Sequence, residues 1–194
     1  MTVQPGDIFL AHSPGFLSKV IRFGERIRTP SADAFWNHSG IIIDKEGNTL
    51  EAEAKGIIAG KMSNHSISVV IDSGMTPSQR EDVLAFAESC KGDPYSFLDD
   101  VFIGVRLLTG LHLAFHGSRS LICSEFAAKC WEHGGKIWPV LDMACVMPSN
   151  LGEWLLPPHI TKQAKLAHTL TKLTPQDDHT FQRHVNSLGV EDEA

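Results

Sequence analysis

No stretch of this 194-residue sequence stays apolar over the ~18 residues that a membrane span needs. The first residues, Met1 to Asp7, also have neither the basic nor the apolar segment of a secretory signal peptide. Both absences argue against a transmembrane helix and against a conventional exported precursor. We therefore expect a cytoplasmic protein, although association with a virion or export without a signal is compatible with the same pattern.

Cysteine is scarce, and its spacing fits no metal or disulfide motif. The four cysteines include no Cys-x-x-Cys pair, so neither a zinc site nor a disulfide framework is predicted. His112 and His116 lie four residues apart, but no Glu lies between them and no third ligand accompanies them. The sequence thus predicts no metal site and no cofactor. The cysteines are Cys90, Cys123, Cys130 and Cys145.

Positive charge is also in short supply. The formal net charge is −6 and the pI is about 5.9, which argues against a general binder of nucleic acid or of anionic membranes. One local exception is Lys19, Arg22 and Arg26, which are spaced three and four apart on one predicted helical face. This cluster is compatible with a solvated face or with weak contact to an anionic surface.

The length and composition indicate one main domain. With 42% hydrophobic and 21% charged residues, the chain has the make-up of an ordinary globular protein. We place the folded domain at residues 1–157. Residues 158–194 form a polar C-terminal extension, which we expect to be dispensable for chemistry. Leu166, Leu170 and Leu173 leave open a short apolar stripe that docks on the domain.

Short apolar runs and turn signals predict an α+β fold with a small antiparallel sheet packed against helices. Thr76, Pro77 and Gln79 have the order of a helix N-cap, first turn and capping box. Another helix is expected to start near Ser120 and to end at Gly134-Gly135. The predicted strands are residues 7–11, 39–44, 49–54 and 66–72, and further helices are predicted over residues 14–23 and 95–108.

Three residues in this framework can carry nucleophilic chemistry. Cys123 falls near the start of a predicted helix, where the helix dipole and the free backbone N–H groups favour a thiolate. His38 stands just before the apolar run Ile41–Ile43, and Glu51 follows the next turn. A Cys–His–carboxylate set is a common route to acyl transfer. We predict Cys123 as nucleophile, His38 as general base and then acid, and Glu51 as the group that orients the imidazole.

The identity of the carboxylate depends on the length of the hairpin turn. Residues on one face of a strand alternate, so Glu51 and Glu53 share a face. A two-residue loop places Glu51 opposite Gly40 and diagonal to His38, whereas a four-residue loop places Glu53 there. Strand alternation alone leaves both open.

The order of these pieces resembles the circularly permuted NlpC-type branch of the papain-like cysteine peptidases and amidases. The matching segments are Pro5-Gly6-Asp7-Ile8, His38-Ser39-Gly40-Ile41, Leu50-Glu51-Ala52 and Cys123-Ser124-Glu125-Phe126, with the stretch Gly15–Arg22 between the first two.

This resemblance covers roughly residues 5 to 156. It implies a permuted papain-like fold, with the nucleophile at a helix N-terminus, and it selects Glu51 as the third residue.

The resemblance also implies a function and its alternatives. The expected activity is thiol-dependent cleavage of amide bonds in peptidoglycan stem peptides or related cell-wall peptides. A lipid acyltransferase or thioesterase of the lecithin–retinol acyltransferase-like type shares the same residue order and is the main alternative. A non-catalytic binding or virion-associated structural module is the third. Tyr95 is a candidate substrate-binding residue because it follows Asp93-Pro94 near the expected cleft.

Overall fold

The computed structural model describes residues 3–12, 35–53, 55–94, 122–139 and 146–173. Several predicted features lie outside these ranges, namely Tyr95, the Lys19–Arg26 cluster, His112, His116, Cys145 and the helices over residues 14–23 and 95–108. In the described part the architecture is α+β. The elements are β1 (Ile8–His12), β2 (His38–Ile42), β3 (Asn48–Glu53), β4 (Gly56–Lys61), β5 (Ile67–Ile71), α1 (Pro77–Ser89), α2 (Cys123–His133), α3 (Pro148–Leu155) and α4 (Pro158–Leu173).

The strands form one antiparallel sheet in the order β4-β3-β2-β1-β5. The predicted strands are confirmed to within one or two residues at their ends. The sequence did not predict β4, which pairs with β3 along the edge of the sheet. Its segment begins and nearly ends with glycine, Gly56 and Gly60, and has only a short apolar pair between them, so it lacks the alternation that identifies a strand.

The β2–β3 turn sets the register of the sheet at the predicted site. Asp44 closes the turn because its carboxylate accepts hydrogen bonds from the backbone N–H groups of Glu46 and Asn48. Gly47 has a φ of +77°, a conformation that costs glycine little. In the resulting register Gly40 pairs with Glu51 and Ile42 with Thr49. This is the arrangement that a two-residue loop predicts.

The two faces of the sheet have different roles. One face carries Ile8, Leu10, Ile41 and Leu50, which join the main core with side chains of α1 and α2. The opposite face has a smaller apolar cluster of Phe9, Ala11 and Ile42. Because side chains alternate along a strand, His38, Gly40 and Glu51 lie on the same face as Phe9.

The helix that carries Cys123 begins later than the sequence predicts. Its N-cap is Ile122, which has extended backbone geometry (φ −81°, ψ 163°) and makes no side-chain capping bond. Cys123 is therefore the first helical residue, not the third residue after a cap at Ser120. The predicted end is confirmed, with Gly134 as the C-cap. At the start of α1, the predicted capping box of Thr76 and Gln79 is confirmed.

Helix α4, the first part of the C-terminal extension, packs on the domain. Thr161 is 0% exposed, and its hydroxyl accepts a 3.1 Å hydrogen bond from the Trp36 indole N–H. Ile160 and Ala164 are buried beside it, whereas Leu166 is 62% exposed. The docking face thus differs from the expected leucine stripe at Leu166. The boundary between residues 157 and 158 stays a prediction.

None of the helices that the structure describes is both long and apolar enough to span a bilayer.

The bond between Trp36 and Thr161 gives a test of how α4 contributes to stability. Thr161→Val keeps the side-chain shape but leaves the buried indole N–H without its acceptor, so the free energy of unfolding should fall by about 1–3 kcal/mol. Thr169→Val is the matched control, because Thr169 is an exposed threonine on the same helix. Urea denaturation of both variants measures the difference. Equal stability of the two would show that this hydrogen bond contributes little to the stability of the fold.

Candidate functional site

The three residues predicted for thiol chemistry meet at one place. His38 is the first residue of β2 and Glu51 lies within β3, so the sheet register sets their separation. His38 Nε2 lies 2.7 Å from Glu51 Oε2. The imidazole of His38 also has a side-chain hydrogen bond with Cys123, the first residue of α2. Glu53, the other candidate carboxylate, is exposed at the end of β3. Whether the three residues are catalytic stays a prediction.

Helix α2 is held in place near both of its ends by bonds to distant parts of the chain. The Ser124 hydroxyl donates to the backbone carbonyl of Val146 at 2.7 Å, and the Trp131 indole N–H donates to the carbonyl of Gly6 at 2.8 Å. Both bonds are buried. They fix the helix against the segments on either side of it, and so they fix the position of Cys123.

Two further residues, which were not among the predicted site residues, contact Glu51. His65 Nε2 lies 2.9 Å from the same oxygen, Oε2, and the Thr49 hydroxyl donates to the other oxygen, Oε1, at 2.5 Å. Thr49 could have been found, because it lies two residues from Glu51 on the same strand face. His65 follows a short 3₁₀ turn (Met62–Asn64) after β4, and no sequence motif indicates its contact.

The hydrogen bonds to Glu51 determine its charge state. Burial by itself raises the pKa of this carboxyl group, but the hydrogen bonds from His38 and His65 outweigh burial and bring the pKa to about 2. Glu51 is therefore a carboxylate at neutral pH, and it can only accept hydrogen bonds. It follows that each imidazole carries a hydrogen on Nε2, which leaves Nδ1 of His38 as the ring nitrogen that faces Cys123.

The charge of His38 follows from the same contacts. Burial lowers the pKa of the imidazole, but hydrogen bonds with Cys123 and Glu51 raise it from 6.5 to about 10. At neutral pH the site therefore favours a protonated imidazole between a carboxylate and a sulfur atom. A thiol that gives up its proton beside such an imidazole becomes a thiolate in an ion pair.

Two other cysteines in the described part of the chain lack these partners. Burial raises the pKa of Cys90, and it raises the pKa of Cys130 well above its usual value. Both are therefore neutral thiols near pH 7. Cys123 differs from these two in its hydrogen bond with His38.

Two glycines leave room for the Glu51 carboxylate, and one aromatic ring packs against the two imidazoles that contact it. A Cβ atom at Gly40 would lie 3.0 Å from Glu51 Cγ and 2.7 Å from a ring carbon of Phe9. A Cβ at Gly60 would lie 2.9 Å from both Glu51 Cδ and Thr49 Oγ1, and closer still to Glu51 Oε1. Both positions thus need glycine for packing reasons. The Phe9 ring lies against both imidazoles, with centroids 6.1 Å from His38 and 5.3 Å from His65.

The cluster also has the make-up of a metal site. His38, Glu51 and His65 each offer one ligand atom, and these atoms all lie within 4.8 Å of one another. Imidazole nitrogen and carboxylate oxygen are ligands that Zn²⁺ accepts. The expectation that the chain has no metal site rested on the cysteine spacing and on His112 and His116, and it did not foresee this cluster.

Comparison with known proteins gives a fold likeness. No protein-family model matches the sequence, and no curated protein matches it. Among solved structures, the chain is similar to the metalloprotein yiiX from Escherichia coli O157:H7, described as DUF1105. The two are 20% identical, with a TM-score of 0.50, and the match covers 79% of this chain and 82% of that one. At this identity the likeness shows a related fold and nothing about activity.

The shifted pKa values predict how the stability of the site depends on pH. The contribution of His38 is fully present below pH 6.5 and is lost as the pH rises through about 10. The contribution of Glu51 is fully present above pH 4.5 and is lost as the pH falls through about 2. Glu51→Gln should therefore cost the most stability between pH 4.5 and 6.5, on the order of 3 kcal/mol for a broken buried pair.

Thermal unfolding of the wild type and the variant from pH 3 to pH 10 measures this profile. Glu53→Gln is the matched control, since Glu53 is an exposed glutamate on the same strand. A destabilisation by Glu51→Gln that does not change with pH would contradict the assigned charge states.

The packing at Gly60 gives a second prediction. In Gly60→Ala the added methyl group should displace the Glu51 carboxylate and weaken its hydrogen bond to His38. The pKa of His38 should then fall below about 10. NMR titration of the imidazole signals measures the shift, and Lys61→Ala, at the next and exposed position of β4, serves as the control. An unchanged His38 titration in a folded Gly60→Ala protein would rule out this packing role.

Proposed function

We propose that the chain is a cysteine hydrolase that cleaves amide bonds and that its fold is a permuted papain-like fold. The observation that supports this most directly is the pair of hydrogen bonds that His38 makes, one with the Cys123 side chain and one with the Glu51 carboxylate. A thiol at a helix start, a histidine and an orienting carboxylate form a set that can carry out acyl transfer.

The proposed reaction divides the work among three side chains. The thiol proton passes to His38 before attack, and Cys123 Sγ then bonds to the substrate carbonyl carbon as the C=O π bond opens to an oxyanion. His38 then gives this proton to the leaving amine as the C–N bond breaks, which produces a thioester. Water attacks the thioester carbon while His38 takes its proton, and the C–S bond breaks to release the acid and restore the thiol. Glu51 accepts the hydrogen bond from His38 Nε2–H throughout.

The oxyanion that forms at the carbonyl needs hydrogen-bond donors. The first N–H groups of an α-helix have no partner within the helix, and Cys123 is the first residue of α2. The backbone N–H of Cys123 is therefore the proposed donor, and it adds to the favourable dipole at the helix start.

The proposed substrates are peptidoglycan stem peptides or related cell-wall peptides, as the family resemblance implies. Tyr95 remains a proposed substrate contact. The test is mass spectrometry of muropeptides and of acyl-lipids after incubation with wild-type protein and with Cys123→Ala. Loss of a peptide fragment pattern in the variant supports the amidase. Cys123-dependent acyl transfer or thioester cleavage would instead identify the lecithin–retinol acyltransferase-like activity. No Cys123-dependent product from either class would favour the non-catalytic module.

The mechanism predicts that Cys123 is the most reactive of the described cysteines. Iodoacetamide at pH 6–7 should label Cys123 well before Cys90 and Cys130, which are held as neutral thiols. Peptide mapping measures the three rates. His38→Gln should slow the labelling of Cys123, whereas His133→Gln, at an exposed position of α2, should not. Equal labelling of all three cysteines would refute the assignment. On a cleaved substrate, Cys123→Ala should lower kcat by about 10³-fold or more.

A further inference from the structure

Thiol chemistry leaves one feature of the site unexplained. A catalytic imidazole needs one carboxylate partner, yet Glu51 Oε2 is contacted by two imidazole nitrogens, at 2.7 Å from His38 and 2.9 Å from His65. All three side chains are buried or nearly so, with 12%, 2% and 10% of the side chains of His38, Glu51 and His65 exposed. Two histidines and a glutamate converging in this way are also a donor set found in zinc sites.

The spacing of the three donor atoms is close to what an ion requires. In tetrahedral coordination with bonds of 2.0–2.1 Å, two ligand atoms lie about 3.3 Å apart. The hydrogen-bonded separations are about half an ångström shorter than this, and the three atoms lie within 4.8 Å of one another. Small side-chain rotations are therefore sufficient to admit an ion.

The surroundings orient the ligands in the way that metal sites commonly do. The Thr49 hydroxyl binds Glu51 Oε1 and so fixes the plane of the carboxylate while Oε2 faces the imidazoles. The Phe9 ring packs against both imidazoles. Hydrogen-bonded and packed supports of this kind hold first ligands in place and strengthen binding.

The geometry points to a site for a divalent transition-metal ion of the zinc class, formed by His38, Glu51 and His65. The ion takes the same Nε2 and Oε2 atoms that form the hydrogen bond between His38 and Glu51. Metal binding and the orientation of His38 by Glu51 are therefore mutually exclusive. If the proposed thiol chemistry is correct, on which this consequence rests, a bound ion switches that chemistry off.

Metal binding itself is tested with the full chain after removal of metals by EDTA and dialysis. Titration with Zn²⁺ by calorimetry should show one site, and His65→Gln should weaken binding by at least about tenfold. His133→Gln is the matched control, because it removes an exposed histidine outside the cluster. Absence of binding, or equal affinity in wild type and His65→Gln, would overturn the site.

The ligand set is tested in the wild type, so the outcome does not depend on the folding of a variant. The Co²⁺-loaded protein should show visible bands of nitrogen and oxygen ligation and no near-ultraviolet thiolate charge-transfer band. A strong charge-transfer band that disappears in Cys123→Ser would assign the ion to Cys123 and overturn the proposed ligand set.

The effect on the thiol is tested by alkylation. In EDTA, Cys123 should react rapidly with iodoacetamide. Zn²⁺ should slow that reaction in the wild type by about the fraction of sites occupied, and should do so much less in His65→Gln at the same concentration. Zinc that binds without slowing alkylation would overturn the inhibitory role. Slow alkylation in EDTA would count against the proposed hydrolase instead, and would leave the metal site standing on its binding data.

Discussion

The site depends on keeping an ionised carboxylate inside the protein. Transfer of a carboxylate from water to a protein interior costs several kcal/mol unless hydrogen bonds compensate for the loss of hydration. Glu51 receives three such bonds, one from Thr49 and two from imidazoles. The three donors lie in three different segments: Thr49 in β3, His38 at the start of β2 and His65 in the loop after β4. Strand β3, the loop after β4 and the start of β2 must therefore all be in place before this charge is tolerated.

The antiparallel register of the sheet determines where the groups around Glu51 lie. Pairing of Gly40 with Glu51 places the carboxylate diagonal to His38, and pairing of Glu51 with Ile58 brings β4 alongside. Shifting the pairing of β3 with β2 by one residue would turn the carboxylate to the opposite face, where it would meet the main apolar core. The identity of the site is thus a property of strand pairing as much as of the side chains.

The parts of the site that follow from local rules could be predicted from the sequence. Strand alternation and a short turn predict that His38 and Glu51 share a face, and Thr76 and Gln79 predict where α1 begins. The contact of His65 could not be predicted, because it depends on the length and pairing of β4, whose glycine-rich sequence hides the strand. The start of α2 at Cys123 also differs from the prediction, which placed the cap at Ser120. Ile122 caps the helix without a side-chain hydrogen bond, so no capping residue marks the start in the sequence. Contacts between distant segments, such as the one between Trp36 and Thr161, leave no periodic signal.

The bond between Trp36 and Thr161 spans 125 positions of the sequence, and Trp36 stands two residues before His38. A ligand or partner chain that binds α4 and displaces Thr161 would remove the hydrogen-bond acceptor of Trp36, in the segment that leads into the histidine. Linkage is reciprocal, so if binding at α4 changes the affinity of the site for a ligand, that ligand changes binding at α4 by the same free energy. The C-terminal helix is in this sense a potential input to the site as well as a support for the fold.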